Sequence, residues 1–276
     1  LGPKLQTLLE IGCGPTLHCA LCATEYVEEI VLSDFASSNR KEIELWIQND
    51  PGDFDWSLIA KRVCELEGNS LGPKLQTLLE IGCGPTLHCA LCATEYVEEI
   101  VLSDFASSNR KEIELWIQND PGDFDWSLIA KRVCELEGNR GKWMEKEKKL
   151  RDSIKQVLKC DVHQSNPLHP VQLEPVDCIL TASCLEAACK DEAAYRTAVR
   201  NITSLLKPGG VLIIIGDMNQ AVYKVNEYNF SILPLDRTLM KNALEEADCE
   251  IKQLETCKSV TWSGNDMIFF LVAQKK

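Results

Sequence analysis

The first 69 residues of this chain are used twice: Leu1 to Asn69 recurs without a change as Leu71 to Asn139, and the identity ends at Ser70 against Arg140. Solenoid units run to about 20–50 residues, diverge from one another and need roughly three copies to bury a core. Two perfect copies of a longer block read instead as a recent duplication, or an error of gene assembly, laid over an ordinary domain. With one copy set aside about 206 residues remain, enough for one sizeable α/β domain with its own core. The chain is therefore divided into residues 1–70, a partial copy of the first half of a nucleotide-binding domain, and residues 71–276, the domain itself.

The repeat also explains the charge. Each copy carries five basic and twelve acidic residues, so the block accounts for the whole net charge of −13, and residues 140–276 contribute +1. One copy alone leaves about −6, ordinary for a soluble enzyme. Phosphate backbones demand a basic surface that is absent here, so nucleic acid is not an expected partner. Eight of the fourteen cysteines belong to the repeat. With no secretory signal at the start, the thiols are expected to be reduced and the protein cytoplasmic. The longest apolar runs, Val211 to Gly216 and Met267 to Ala273, fall well short of the roughly twenty residues of a membrane span.

In the second copy, Leu75 to Ile81 reads as a strand, and a helix is expected from Pro85 to Thr94, with proline tolerated in its first turn. Glu99 to Asp104 is a second strand. Ser107 to Gln118 is an amphipathic helix capped by Ser107 or Ser108. Asn119 to Asp123 is a turn cluster, and residues 140–153 form a charged helix. Strands are expected at Val157 to Asp161, Val176 to Thr181 and Val211 to Ile215. Asp191 to Leu206 is a helix stopped by Lys207-Pro208-Gly209-Gly210, and Arg237 to Ala247 is another. Glu250 to Thr256 and Met267 to Gln274 close the chain as a hairpin turning at Ser263 to Asn265. This alternation predicts an α/β fold: an open, Rossmann-like, mostly parallel sheet with helices on both faces and a C-terminal antiparallel hairpin. Ligands of such sheets bind beyond the carboxyl ends of the strands, here the loops after Ile81, Leu102, Lys159, Leu180 and Ile215.

Glu80-Ile81-Gly82-Cys83-Gly84-Pro85-Thr86 ends a strand in a glycine turn that opens a helix, where backbone can approach a ligand closely. Asp104 follows about twenty residues on at the end of the next strand, placed to accept from ribose hydroxyls. Leu87 occupies the third glycine position of a dinucleotide fingerprint, and no Gly-Lys-Ser/Thr of a P-loop follows. A nucleotide without pyrophosphate fits better, and S-adenosylmethionine is the expected cofactor. The bland alternative is a tight strand-to-helix turn. Asp161 could accept from an adenine amino group while Val162 donates its backbone N–H, or it is an exposed acid at a strand end. Cys89-x-x-Cys92 lies inside an apolar helix without a second pair at zinc-site spacing, so no metal is expected. Cys184 and Cys189 read as core or pocket thiols.

Leu79-Glu80-Ile81-Gly82-Cys83-Gly84-Pro85-Thr86, Cys134 to Asn139, Leu158-Lys159-Cys160-Asp161-Val162, Cys184-Leu185-Glu186-Ala187-Ala188-Cys189 and Ser204 to Gly210 together resemble the nicotinamide and indolethylamine N-methyltransferase family, with the phenylethanolamine enzymes more distant. The resemblance covers residues 71–276 and, a second time, 1–69. It implies that Gly82, Cys83 and Gly84 line the methionine part of S-adenosylmethionine, with His88 near its carboxylate where the family usually has a tyrosine. Asp104 and Asn109 would meet the ribose, Asp161 and Val162 the adenine. Ala182 and Ser183 would border the cofactor, and Tyr223 and Gln220 the methyl acceptor. Gly216 replaces an acid of the nicotinamide enzyme, with Asp217 adjacent, and Gln220 and Ile232 replace serines. The acceptor is expected to be a nicotinamide-like azaheterocycle or an indolethylamine-like amine.

Methyl transfer asks for alignment, desolvation and a carboxylate that binds the acceptor; Asp217 and Glu186 are the candidates, each equally readable as a surface acid. The family's front segment is a helical lid with tyrosines. In this chain the duplicate block takes its place, so an alternative is a catalytically impaired cofactor-binding protein. The second copy, which runs directly into the rest of the domain, is expected to hold the cofactor, so that losing Asp104 abolishes binding and losing Asp34 does not. A monomer is expected.

Overall fold

The computed structural model describes residues 5–11, 27–33, 75–119, 125–225, 228–258 and 267–276. The expected turns within 120–123 and 263–265 lie outside them. In chain order the strands are β1 (Leu5–Ile11), β2 (Val27–Ser33), β3 (Leu75–Ile81), β4 (Val97–Asp104), β5 (Ile154–Lys159), β6 (Val176–Ala182), β7 (Leu206–Met218), β8 (Val222–Val225), β9 (Tyr228–Ser231), β10 (Cys249–Lys258) and β11 (Met267–Lys275). The helices are α1 (His88–Ala93), α2 (Ser107–Ile117), α3 (Ser127–Leu136), α4 (Trp143–Ser153), α5 (Leu185–Ala188), α6 (Glu192–Thr203) and α7 (Arg237–Glu246).

Seven strands form one sheet in the order β10-β11-β7-β6-β3-β4-β5. The five from β7 to β5 are parallel, and β11 joins β7 and β10 antiparallel. The α/β fold with a C-terminal antiparallel hairpin is thus present. From β3 the chain builds outward through β4 to β5 and then returns to lay β6 on the other side. The strand order therefore reverses between β3 and β6, where such sheets open a crevice at their carboxyl ends.

Alternation along each strand splits the core into two layers. Leu79 and Ile81 of β3 face a cluster with Tyr195, Val199 and Ile202 of α6 and Leu239, Met240 and Leu244 of α7. Leu78 of β3, with Ile100 and Leu102 of β4, faces Leu91 of α1, Ile113 and Trp116 of α2 and Leu150 of α4. Burial on both faces is why these strands read as continuous apolar runs. At the amino ends, Asp177 accepts from the Gln76 and Thr77 N–H groups at 3.1 and 3.0 Å and from Lys207 Nζ at 2.7 Å. That carboxylate, held below its usual range chiefly by the Lys207 bond working against desolvation, staples β3, β6 and β7 at the edge opposite the crevice.

Several boundaries differ from expectation: the helix expected over Asp191 to Leu206 spans Glu192–Thr203, the charged helix starts at Trp143 and the strand before Asp104 starts at Val97. Four further differences follow. The helix after the glycine turn starts at His88, because Thr86 folds its N–H and hydroxyl back onto the Cys83 carbonyl. The cap of α2 is Ala106, without a side-chain bond, since the Asp104 carboxylate already takes the Ala106 N–H. The strand expected from Val157 to Asp161 spans Ile154–Lys159. Lys207 to Gly210 does not end the preceding ordered region: Leu206 pairs with Val176 and Val211 with Cys178, so the four residues bulge out of β7, helped by the positive φ of Gly209.

The strands of the first copy, β1 and β2, pair parallel with each other as a two-stranded sheet, Leu5 opposite Val27, the register that sets Leu75 of β3 opposite Val97 of β4. No helix among the described residues is long and apolar enough to cross a membrane.

Candidate cofactor and acceptor site

Because β3, β4, β5, β6 and β7 are parallel, their carboxyl ends lie along one edge, and the expected site residues follow those ends. Gly82 and Gly84 have φ of +68° and +61°, a region that strains residues with a Cβ. A Cβ on Gly82 would also collide with the Cys184 side chain, so the turn after β3 packs directly on the turn after β6. Cys83 is buried and donates its backbone N–H to the Ser103 carbonyl at 3.0 Å.

Asp104 is a hydrogen-bond hub at the end of β4. Its Oδ2 accepts from the Gly84 N–H at 2.9 Å, and its Oδ1 from the Ala106 N–H at 2.8 Å and Asn109 Nδ2 at 2.9 Å. The Asn109 Oδ1 is buried with no hydrogen-bond partner, and so is Glu80 Oε2 beneath the glycine turn. Desolvation pushes the Glu80 carboxyl up to about 8, against a hydrogen bond from Cys89 and with a contribution from Asp104. Burial likewise raises the thiols of Cys83 and Cys184, which makes both poor nucleophiles.

His88 opens α1 half-buried. Asp161 is held after β5 by its N–H to the Pro167 carbonyl at 2.8 Å, while its Oδ1 accepts from the His163 N–H at 3.0 Å. Val162 is buried, with its carbonyl taken by Asn201 at 2.9 Å. Ala182 ends β6 half-buried, and Ser183 is exposed at a φ of +47° with its N–H on the Ile215 carbonyl.

The region after β6 and β7, where the acceptor residues are expected, is built differently. Glu186 of α5 is 2% exposed, so it is no surface acid. Its Oε1 accepts from the Asp217 N–H at 3.2 Å, and its Oε2 is buried without a partner. A Cβ on Gly216 would meet Oε1 and the Phe269 ring. The glycine at this position is thus what admits the Glu186 carboxylate. Desolvation, opposed by two backbone hydrogen bonds, pushes the Glu186 carboxyl up to about 7. Asp217 is half-buried and engages Glu186 through its backbone. Gln220 is half-buried between β7 and β8. Tyr223, 39% exposed, stacks on Phe230 of β9 at 5.1 Å, and the Glu186 carbonyl receives the Leu233 N–H at 2.8 Å where the chain returns from that hairpin.

Helix α3 and the short α5 that carries Glu186 escaped the sequence, as did two further features of the site. The β8–β9 hairpin is short and lacks a turn dipeptide of the usual kind. Phe105, directly after Asp104, is 64% exposed with Lys159 Nζ 5.4 Å from its ring centre; an aromatic following the strand-end acid was its one signal.

The sequence model of the NNMT/PNMT/TEMT family matches residues 2–74 and again 71–276. The chain is 46% identical over 207 residues to human nicotinamide N-methyltransferase, covering 74% of this chain and 78% of that one. It is 45% identical over 203 residues to indolethylamine N-methyltransferase of Oryctolagus cuniculus, covering 72% and 77%. Among solved structures, an S-adenosylmethionine-dependent methyltransferase from Clostridium acetobutylicum superposes with a TM-score of 0.52 at 11% identity, over 87% of this chain and 99% of that one. The glycopeptide N-methyltransferase MtfA does so with 0.52 at 12%, over 81% and 97%. At those identities the likeness speaks for the fold alone. The sequence relationship goes further: this chain belongs to the NNMT/PNMT/TEMT family of S-adenosylmethionine-dependent N-methyltransferases, which act on small molecules.

Proposed function

We infer that residues 71–276 form the methyltransferase domain, that residues 1–70 are a partial copy outside it, and that the acceptor is a small amine rather than nicotinamide. The observation that carries the choice of acceptor is the buried Glu186 carboxyl, admitted by Gly216, with Oε2 free to receive a hydrogen. Nicotinamide brings an uncharged ring nitrogen with no proton to give up. An amine reaches the site largely protonated and attacks only after losing that proton.

The residues present fit S-adenosylmethionine. Asp104 Oδ2 keeps one lone pair for a ribose hydroxyl, Asn109 Oδ1 is a buried acceptor and Glu80 Oε2 a buried carboxyl oxygen, both still to be satisfied, and Gly82 and Gly84 bring backbone close. Asp161 and Val162 flank the adenine, Phe105 offers it a face, and His88, Cys83, Ala182 and Ser183 border the remainder. The cofactor supplies an electrophilic methyl group on a sulfonium sulfur.

On the acceptor side Glu186 takes the amine proton at Oε2, and its carboxyl near 7 is poised to do so at neutral pH. Asp217 fixes that carboxylate through its N–H. Tyr223 and Phe230 would offer the acceptor an aromatic face, and Gln220, half-buried between β7 and β8, a polar group. The small-molecule acceptor, a net-acidic composition and free core thiols support a monomer of the cytoplasm without nucleic-acid or membrane partners.

Labelled-methyl transfer to tryptamine, a phenylethanolamine, quinoline and nicotinamide tests the reading. Turnover of the amines above that of nicotinamide is expected. Preference for nicotinamide would overturn the amine assignment, and cofactor binding with no transfer to any acceptor would identify an impaired binding protein.

A further inference from the structure

We propose that Arg110 is a positioning residue for the ribose end of the cofactor, an inference that rests on the reading of Asp104 as the ribose acceptor. Arg110 lies in the first turns of α2, and its Nη1 donates to two successive carbonyls, Asp104 O at 2.9 Å and Phe105 O at 2.8 Å. Among the described residues no ion pair joins Arg110 to a carboxylate.

The turn it holds has little support of its own. Its capping residue Ala106 has no side-chain hydrogen-bonding group to close the helix start. Asp104 satisfies the Ala106 N–H from one side, and Arg110 gathers the carbonyls from the other. Two carbonyl dipoles brought together beside a buried carboxylate make an electronegative cluster, which a guanidinium offsets with charge-assisted bonds. The choice of partner matters. A direct pair with Asp104 would occupy the one lone pair that its Oδ2 keeps for a ribose hydroxyl, whereas holding the backbone leaves it available and fixes its direction. The same contact sets the Phe105 backbone, and with it the ring over Lys159. A site that must recognise hydroxyl groups by direction gains affinity from such preorganisation.

The test is calorimetric titration of S-adenosylhomocysteine and its 2′,3′-dideoxy counterpart into the wild-type chain, R110A and R110K, with melting curves and kcat at saturating cofactor. The wild type should prefer the ribose form by roughly a hundredfold. In R110A that preference should shrink roughly tenfold, with acceptor KM unchanged. R110K should be intermediate, because an ammonium on a flexible stem is a point donor rather than a fixed fork. A general loss of stability would weaken both ligands alike and leave the ratio untouched, so R110A with the wild-type ratio overturns the proposal and leaves the Asp104 reading standing. A wild type without any preference overturns that reading, and Arg110 with it. If R110A does not fold, R110K decides: an unchanged ratio there counts against the proposal.

Discussion

The two halves of the crevice hold their acids in opposite ways. On the cofactor side Asp104 is surrounded by donors from Gly84, Ala106 and Asn109. On the proposed acceptor side Glu186 takes backbone N–H groups from Asp217 and from its own residue, and has an oxygen with no donor. The first is a fixed carboxylate suited to neutral hydroxyls, and the second is a desolvated carboxyl that changes charge near neutrality. Under the proposed function, cofactor recognition and proton transfer are divided between strands laid on either side of the β3–β6 switch.

The severest challenge to this division is Gly82→Ala, which would touch both halves. With a positive φ and a Cβ directed at Cys184, it should destabilise the fold by about 3 kcal/mol and remove cofactor binding. A urea melt and a titration with S-adenosylhomocysteine would show it. Asp104→Asn should act on one half alone, weakening S-adenosylhomocysteine roughly a hundredfold while the pH dependence of residual turnover stays as in the wild type. If that dependence moved too, the halves would not be separate.

Glu186→Gln is the mirror experiment. Wild-type turnover of an amine should rise as pH passes through about 7, because the base must be ionised, and the variant should lose that limb with cofactor affinity intact. Stability has the opposite sign. Glu186 and Glu80 are raised from 4.5 to about 7 and about 8, so the folded chain holds protons that the unfolded chain has released. Their contribution is complete below about 4.5 and is lost as pH rises through those values, a decline of about 3 kcal/mol for Glu186. Denaturant melts between pH 5 and 8 should show the decline, flattened in Glu186→Gln. The smallest effect belongs to Tyr223→Ala, which removes one partner of a stacked pair worth about 1 kcal/mol. Acceptor KM should rise several-fold and cofactor affinity stay within about twofold.

The geometry of the proposed cofactor half was legible in the sequence because its elements are local. An apolar run, a glycine turn and a strand-end acid place Gly82, Gly84 and Asp104 without knowledge of distant contacts. The acceptor half was not. Whether Glu186 is buried depends on Gly216, thirty positions away, and no spacing rule connects them. For the same reason the length of β7 was missed: Lys207 to Gly210 has turn chemistry, and only pairing with β6 shows that the strand begins before it. The expected serine cap of α2 failed because a carboxylate from the preceding strand had already taken the first free N–H.

The repeat supplies an internal control that proteins seldom carry. One peptide occurs in two settings, and the strand pair it contains adopts one register in both, Leu5 with Val27 and Leu75 with Val97. The alignment of neighbouring strands is therefore written inside the block, as expected where a one-residue slip would turn every apolar side chain to the wrong face. Membership of the larger sheet is not written there. Only the copy contiguous with residues 140–276 has β5 and β6 on its flanks. For this chain, pairing is a property of the peptide, and a place in the seven-stranded sheet is a property of its address.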